Sequence, residues 1–95
     1  MVVGACRVRM IVRGSRSLKD KRRVVRSVKD RLPGLLGVAI AEVGHLDHRQ
    51  LTELGISAVG NDGRHVLSVL NKAIDKLRVH PEAEVVDSEC ELFHL

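Results

Sequence analysis

The residues of this chain best placed to do chemistry are basic side chains crowded into one segment. From Arg13 to Arg31 there are nine lysines and arginines against two aspartates, which gives a local charge of +7. The whole 95-residue chain carries +4, so the rest of it is acidic, above all near the C-terminal end. This uneven distribution predicts a small protein with one side that attracts a polyanion and another that repels it.

The basic segment has the apolar spacing of an amphipathic helix. Leu18, Val25, Val28 and Leu32 fall within a sector of about 80° when successive residues are placed 100° apart. The basic residues lie around the opposite side or in the loop before the helix, and they are Arg16, Lys19, Arg22, Arg23, Arg26 and Lys29. A basic stripe of this length suits the spaced phosphates of a nucleic acid. We therefore predict that these six side chains contact phosphates.

The start of the same helix carries a second anion-binding signal. Gly14 and Ser15 lead into it, and Ser17 followed three residues later by Asp20 approximates a capping box. Unpaired backbone N–H groups and the helix dipole favour an anion at such a position. Ser15 and Ser17 are thus predicted to support an anion site at the helix start.

Lys21 has an unusual place in this helix, because its angular position lies inside the apolar stripe. A lysine in the first turns of a helix can extend its side chain to solvent, which is the interpretation we favour. The alternative is that its ammonium points into a pocket.

Cysteine and histidine form no recognisable metal or disulfide pattern. Cys6 and Cys90 lie far apart and no C-x-x-C pair occurs, so we predict two buried, reduced thiols. His45, Asp47 and His48 form the only cluster with metal-ligand chemistry. Their spacing fits no standard zinc pattern, which favours a solvated loop. We expect no metal and no other cofactor.

Composition predicts one soluble, cytoplasmic domain spanning residues 1–95. Hydrophobic residues make up 44% of the chain, and Phe93 is its one aromatic residue, so the core must be aliphatic. No apolar run approaches the roughly 18 residues that a membrane span needs. Arg7 and Arg9 interrupt the segment where a signal peptide would be apolar.

Apolar periodicity and turn residues divide the chain into six elements. The predicted order is a strand at Val2–Arg13, a helix from Ser17 to Pro33-Gly34, strands at Leu35–Val43 and Leu54–Val59, a helix from Asn61-Asp62 to His80-Pro81, and a strand at Ala83–Leu92. A β-α-β-β-α-β order is typical of the α+β ferredoxin-like fold, with two helices on one face of a four-stranded antiparallel sheet.

The uncovered face of that sheet should hold both charges and apolar residues. Arg7 and Arg9 are predicted to pair with the acids of the last strand, Asp87, Glu89 and Glu91. The face lacks the aromatic residues on which RNA-recognition motifs stack bases, which excludes stacking of that kind. Its small aliphatic residues, among them Val3, Ala5 and Ile11, predict a homodimer in which a second copy covers the face.

Three stretches of the chain resemble a known family. They are the segment from Gly14 to Val25, which contains Ser-Leu-Lys-Asp-Lys-Arg, the strand Val38–Val43, and the segment Gly55–Asp62. Together they resemble the YlxP-like family of small bacterial proteins of uncharacterised function, over essentially the whole chain. That family often carries an aromatic residue near Asp47–Gln50, where this chain has His48 and Arg49.

The resemblance implies a ferredoxin-like fold, a bacterial cytosol, and genes found beside those of translation initiation and ribosome-maturation factors. This context favours ribosomal RNA or another ribosomal component as the partner. The resemblance supplies no catalytic residues.

The leading hypothesis is a non-enzymatic RNA- or ribosome-associated binding protein that uses its basic first helix. One alternative is a homo-oligomeric protein-interaction module with an acidic protein partner. A third is a phosphate enzyme similar to acylphosphatases, with Gly14–Ser17 as the phosphate loop. That enzyme would need an asparagine to orient water, and the segment Leu35–Leu54 contains none.

Overall fold

The four strands and two helices follow the predicted order in a computed structural model that describes residues 1–95. The elements are β1 (Val2–Ile11), α1 (Leu18–Leu36), β2 (Ala39–Gly44), β3 (Leu51–Gly60), α2 (Gly63–Arg78) and β4 (Glu84–His94). The strands form one antiparallel sheet in the order β2-β3-β1-β4. The predicted α+β ferredoxin-like arrangement is confirmed. Neither helix combines the length and apolar character needed to cross a membrane.

The hydrophobic core lies between the sheet and the two helices. Its residues are Val2, Cys6, Val8 and Met10 of β1, Leu54, Ile56 and Ala58 of β3, Val25, Val28 and Leu32 of α1, Val66, Leu70, Ala73, Ile74 and Leu77 of α2, and Val38 before β2. Alternation along β1 and β3 turns every second side chain toward this core, as period 2 requires. The core contains no aromatic residue, as predicted.

Gly4 brings α2 close to the sheet. A Cβ atom added at this position would lie 2.6 Å from methyl groups of both Val66 and Leu70. Only a hydrogen atom fits there, so glycine lets the helix pack directly on the backbone of β1.

Helix α1 begins where it was predicted to begin but ends later. Ser17 is its N-cap, with its Oγ accepting from the backbone N–H of Asp20 at 3.1 Å. The prediction that Pro33 ends the helix is wrong, because α1 continues to Leu36. Pro33 removes one backbone hydrogen bond in the last turns. Gly37 then ends the helix with φ 67°, and its N–H donates to the carbonyl of Pro33 at 2.8 Å.

A β-bulge changes the side-chain directions in β4. Arg9 pairs with Asp87 while the next residue, Met10, pairs with Val85, so Val86 has no partner on β1. Val85 packs against the core and Val86 is exposed. Regular alternation would place Val86 on the same face as Leu92, which packs against the core, and the bulge breaks that pattern at the start of the strand.

The two cysteines form a disulfide, so the prediction of two reduced thiols is wrong. Cys6 of β1 and Cys90 of β4 are directly opposite in the antiparallel register and are covalently joined. They lie 84 positions apart in the chain, and only the pairing of its first and last strands brings them together. Spacing along the sequence therefore gave no sign of the bond.

Candidate functional site

Near the end of α1, Arg31 is exposed and has no carboxylate partner, and the same holds for five of the six basic side chains of α1 and its leading loop that were predicted to contact phosphates. These five are Arg16, Lys19, Arg22, Arg26 and Lys29, which we call the basic flank; all are exposed. The ion pairs of the protein are Arg7–Glu89, Arg13–Glu84, Lys21–Glu42 and Arg23–Glu82, and none uses a residue of the basic flank. The inward side of α1 is occupied by its buried residues. At 1.5 Å per residue, the 19-residue helix extends for about 28 Å.

Arg23 differs from the basic flank, although it was predicted to act with it. Its Nη2 lies 2.7 Å from Oε2 of Glu82, in the loop between α2 and β4. This hydrogen bond raises the pKa of Arg23, and the same contact lowers the pKa of Glu82. Both side chains are open to solvent, where such pairs contribute little to stability. The charge of Arg23 is thus neutralised within the protein.

A groove of about 540 Å³ lies beside Arg23. Its walls come from the end of β1 and the loop after it, from Asp20 and Arg23 of α1, and from residues 81–84. Two ion pairs line it: Arg23–Glu82, and Arg13–Glu84 with Nε and Oε2 2.9 Å apart. Since each arginine already faces a glutamate, the electrostatics of this groove do not favour an added anion.

The hydroxyl groups predicted to support an anion are engaged within the chain. Ser15 is buried, and its Oγ lies 2.8 Å from the carbonyl oxygen of Ser17 and 2.7 Å from that of Arg49. The Oγ of Ser17 caps α1, and Oδ2 of Asp20 accepts from the backbone N–H of Arg16 at 3.0 Å. Half of the predicted capping box is therefore present: the N-cap hydroxyl accepts from Asp20, but the Asp20 carboxylate accepts from the residue before the N-cap and not from the N-cap itself. Ser15 has a structural role, because its single hydroxyl proton is shared between the carbonyl oxygens of Ser17 and Arg49.

Lys21 is fully buried, so the interpretation that it extends to solvent is wrong. Its Nζ donates to the carbonyl oxygens of His45 at 2.7 Å and Leu51 at 3.1 Å, and it lies 3.1 Å from Oε2 of Glu42. The same Glu42 oxygen accepts from Oγ1 of buried Thr52 at 2.6 Å. The carbonyl oxygen of Leu46 lies 3.4 Å from the same Nζ, so four oxygen atoms surround the three protons of the ammonium. A buried charge persists in a protein only when it is paired in this way.

A sequence signal for this pair did exist. Lys21 lies in the apolar stripe of α1, and Glu42 follows Ile40 by two residues on the inward side of β2. Two opposite charges at inward positions of neighbouring elements would have predicted a buried ion pair.

The loop between β2 and β3, residues 45–50, is held in place by several hydrogen bonds. His45 has the left-handed φ of 57°, and its carbonyl accepts from Lys21 and from the N–H of His48. Nδ1 of His48 accepts from the N–H groups of Gln50 at 3.0 Å and Leu51 at 2.9 Å. Nε2 of Gln50 donates to the carbonyl of Arg13 at 3.0 Å. No cluster of three or more His, Cys, Asp or Glu side chains is gathered where a metal ion could bind.

The open sheet face combines an ion pair with an apolar row. Nη2 of Arg7 lies 3.6 Å from Oε1 of Glu89, its partner on β4, so the predicted cross-strand pairing is confirmed for Arg7. Arg9 is opposite Asp87 in the register but forms no ion pair, so the pairing predicted for Arg9 is wrong. Val3 lies between Val59 of β3 and Phe93 of β4 in the register of the sheet. Val59 and Phe93 are exposed, so the three residues form an apolar row across this face.

Comparison with known proteins assigns this chain to a family. The profile of a family described as "Protein of unknown function (DUF503)" matches residues 3–90. The chain belongs to the DUF503 family. It is also similar to the uncharacterized protein YlxP of Bacillus subtilis strain 168, with 28% identity over 92 residues, which cover 97% of this chain and 100% of that protein. The predicted resemblance to YlxP is confirmed, and the function of this DUF503 protein must be argued from its own residues.

Proposed function

We propose that this DUF503 protein is a non-enzymatic RNA- or ribosome-associated binding protein whose basic flank contacts phosphates. One observation carries the proposal: five cations lie exposed along one helix and its leading loop, and no carboxylate neutralises any of them. Phosphates of a nucleic-acid strand would supply the missing negative charge along the length of α1.

The basic flank destabilises the helix that bears it. Lys19 with Arg22, Arg22 with Arg26, and Arg26 with Lys29 are like-charge neighbours three or four residues apart. Each such pair costs roughly 0.2–0.5 kcal/mol, so the three together cost about 1 kcal/mol. A surface that serves solubility alone would mix both charges and avoid this cost. A bound polyanion would remove it.

The rest of the surface would orient the ligand. Exposed Asp87, Glu89 and Glu91 follow one another along β4, the sheet edge opposite to β2. Helix α1 contacts the β2 side of the sheet, whereas β4 packs with α2. A polyanion is therefore attracted to the α1 side of the protein and repelled from the β4 side.

Fluorescence anisotropy of labelled ribosomal RNA fragments across a salt series tests the proposal, with duplex DNA as a comparison. Five neutralised phosphates give a slope of log K against log salt of roughly −3.5 for a single strand and −4.5 for a duplex. The variant Arg22→Ala/Arg26→Ala should lose about 1.4 to 1.8 units of that slope.

Arg7→Ala/Arg13→Ala is the matched control. It removes the same net charge, but both of its arginines are ion-paired and lie outside the basic flank. We expect its slope to stay close to that of the unmodified protein. Absence of binding at physiological salt, or an equal loss in both variants, would contradict the proposal.

The apolar row on the open sheet face favours a second candidate, a homo-oligomeric module that binds an acidic protein. Val3, Val59 and Phe93 would be covered in a dimer, and light scattering on the purified protein and on Phe93→Lys would show it. Absorbance separates the two candidates. The chain has no Trp and no Tyr, so co-purified nucleic acid would dominate its ultraviolet spectrum.

A phosphate enzyme similar to acylphosphatases has less support. The arginines of the groove beside the β1–α1 loop are already paired with glutamates. We expect no turnover of acyl phosphates by this protein.

A further inference from the structure

The loop at residues 45–50 lies against the turn of α1 that carries part of the basic flank. Lys21, which donates to the carbonyls of His45 and Leu51, stands between Lys19 and Arg22 in that turn. The backbone of Arg49 adjoins the loop before α1, where its carbonyl accepts from Ser15 at 2.7 Å. The loop is therefore adjacent to the N-terminal end of α1, the end that carries Arg16, Lys19 and Arg22 of the basic flank.

This loop is ordered before any ligand arrives. Lys21 donates to the carbonyl of the first loop residue, and Nδ1 of His48 accepts from two backbone N–H groups at the end of the loop. The side chain of Gln50 donates to the carbonyl of Arg13. A ligand that binds a loop already fixed loses less conformational entropy than one that must order it. A buried ammonium beneath a surface loop thus favours recognition through the side chains that the loop displays.

Those side chains offer flat groups to solvent. His45, His48 and Arg49 are exposed, and the rings of the two histidines have centroids 6.4 Å apart with planes at 86°. Because Nδ1 of His48 accepts from two backbone N–H groups, the orientation of its ring is fixed. Unpaired RNA bases stack on histidine rings and on arginine guanidinium planes, whereas bases inside a duplex are inaccessible to such contacts.

We infer that the loop at residues 45–50 contacts bases beside the phosphate-binding basic flank, and that single-stranded RNA is the preferred ligand. Lys21 is the positioning residue of this contact, since it fixes the loop without reaching the surface. The inference rests on the proposed function and adds to it the class of RNA.

The first test compares a labelled RNA of about 12 nucleotides, within the range of known single-strand sites, with the same strand annealed to its complement. The variant His45→Asn/His48→Asn removes both rings and keeps the backbone. Asparagine tolerates the left-handed φ at position 45, and its Oδ1 at position 48 replaces Nδ1 as an acceptor. Single-strand affinity should fall roughly 5-fold or more for each stacked base, with duplex affinity and salt slope unchanged.

The second test uses Lys21→Met, which keeps an unbranched side chain one atom shorter than that of lysine and removes the ammonium. Amide hydrogen exchange at Gln50 and Leu51 should become faster, and single-strand affinity should fall at an unchanged salt slope, since Lys21 is 0% exposed. Loss of a surface cation would instead change the slope. Should this variant fail to fold, the asparagine variant decides.

The outcomes separate the two levels of the proposal. Equal affinity for single strand and duplex, or single-strand binding by His45→Asn/His48→Asn as tight as that of the unmodified protein, would overturn the inference and leave the basic flank as a phosphate-binding surface. Binding of neither RNA would overturn the proposed function, and this inference with it.

Discussion

Breaking the Cys6–Cys90 disulfide should destabilise the protein strongly while leaving its fold in place. The bond joins residues 84 positions apart, and loop closure over that length restricts the unfolded chain by about 4.6 kcal/mol at 25 °C. Ten registered residue pairs between β1 and β4 hold the two strands together without it. Small domains have about 5–15 kcal/mol of stability in all, so reduction should remove between about a third and nine-tenths of the free energy of unfolding.

Urea unfolding followed by far-ultraviolet circular dichroism measures this effect, because the chain has no Trp for fluorescence. At an m value of about 1–3 kcal/mol per molar, reduction should lower the midpoint by roughly 1.5–4.6 M. Cys6→Ala/Cys90→Ala is the control: it should unfold near the reduced protein and show no response to reductant. Two reactive thiols in the denatured, unreduced protein, or an unchanged midpoint after reduction, would refute the reasoning.

Three further predictions concern single residues. Lys21→Met should lower the free energy of unfolding, measured with urea, by about 3–5 kcal/mol, because it leaves Glu42 buried without its partner. A decrease of less than about 1 kcal/mol would show that the pair is not buried in solution. Gly4→Ala should lower the free energy of unfolding by about 1–3 kcal/mol, because the added Cβ overpacks against α2. Gly14→Ala is the control and should lower it far less, since its added Cβ meets no atom within 4 Å. Equal decreases would contradict the close approach of α2 to Gly4. Because the pKa of Glu82 is lower in the folded than in the unfolded protein, its pairing with Arg23 stabilises the fold fully at pH values above the unfolded-state pKa. This contribution is lost as the pH falls through the folded-state pKa. Arg23→Ala should therefore raise the titration midpoint of Glu82 in carbon-detected NMR, and an unmoved midpoint would contradict the pairing.

The element order could be predicted because it depends on local periodicity. Every second residue of β1 turns to the core, and the apolar residues of α1 recur at helical spacing, so both patterns are visible within a few residues. Features that depend on partners elsewhere in the chain could not be predicted. The disulfide needs β1 and β4 in one register, and the bulge at Val86 shows only once that register is known.

The same distinction applies to the candidate site. Angular positions alone placed Lys19, Arg22 and Arg26 on the exposed side of α1, where the structure has them. They could not separate Arg23 from these residues, because Glu82, which neutralises it, lies 59 positions later. For Lys21 the sequence shows its position in the apolar stripe and the inward position of Glu42, but it does not show that the backbone carbonyls of His45 and Leu51 also accept from the buried ammonium.

The central position of β1 sets the order in which the protein can be completed during synthesis. β1 pairs on one side with β3 and on the other with β4, and both partners come later in the chain. A nascent chain that has reached the end of α2 can assemble β2, β3 and β1, but β1 then presents a free row of N–H and C=O groups where β4 will dock. Such open edges recruit other strands, and domains emerge from the ribosome at only about 5–20 residues per second. Maturation of this protein therefore depends on its C-terminal strand, and the covalent link to Cys6 can close only after that strand has arrived.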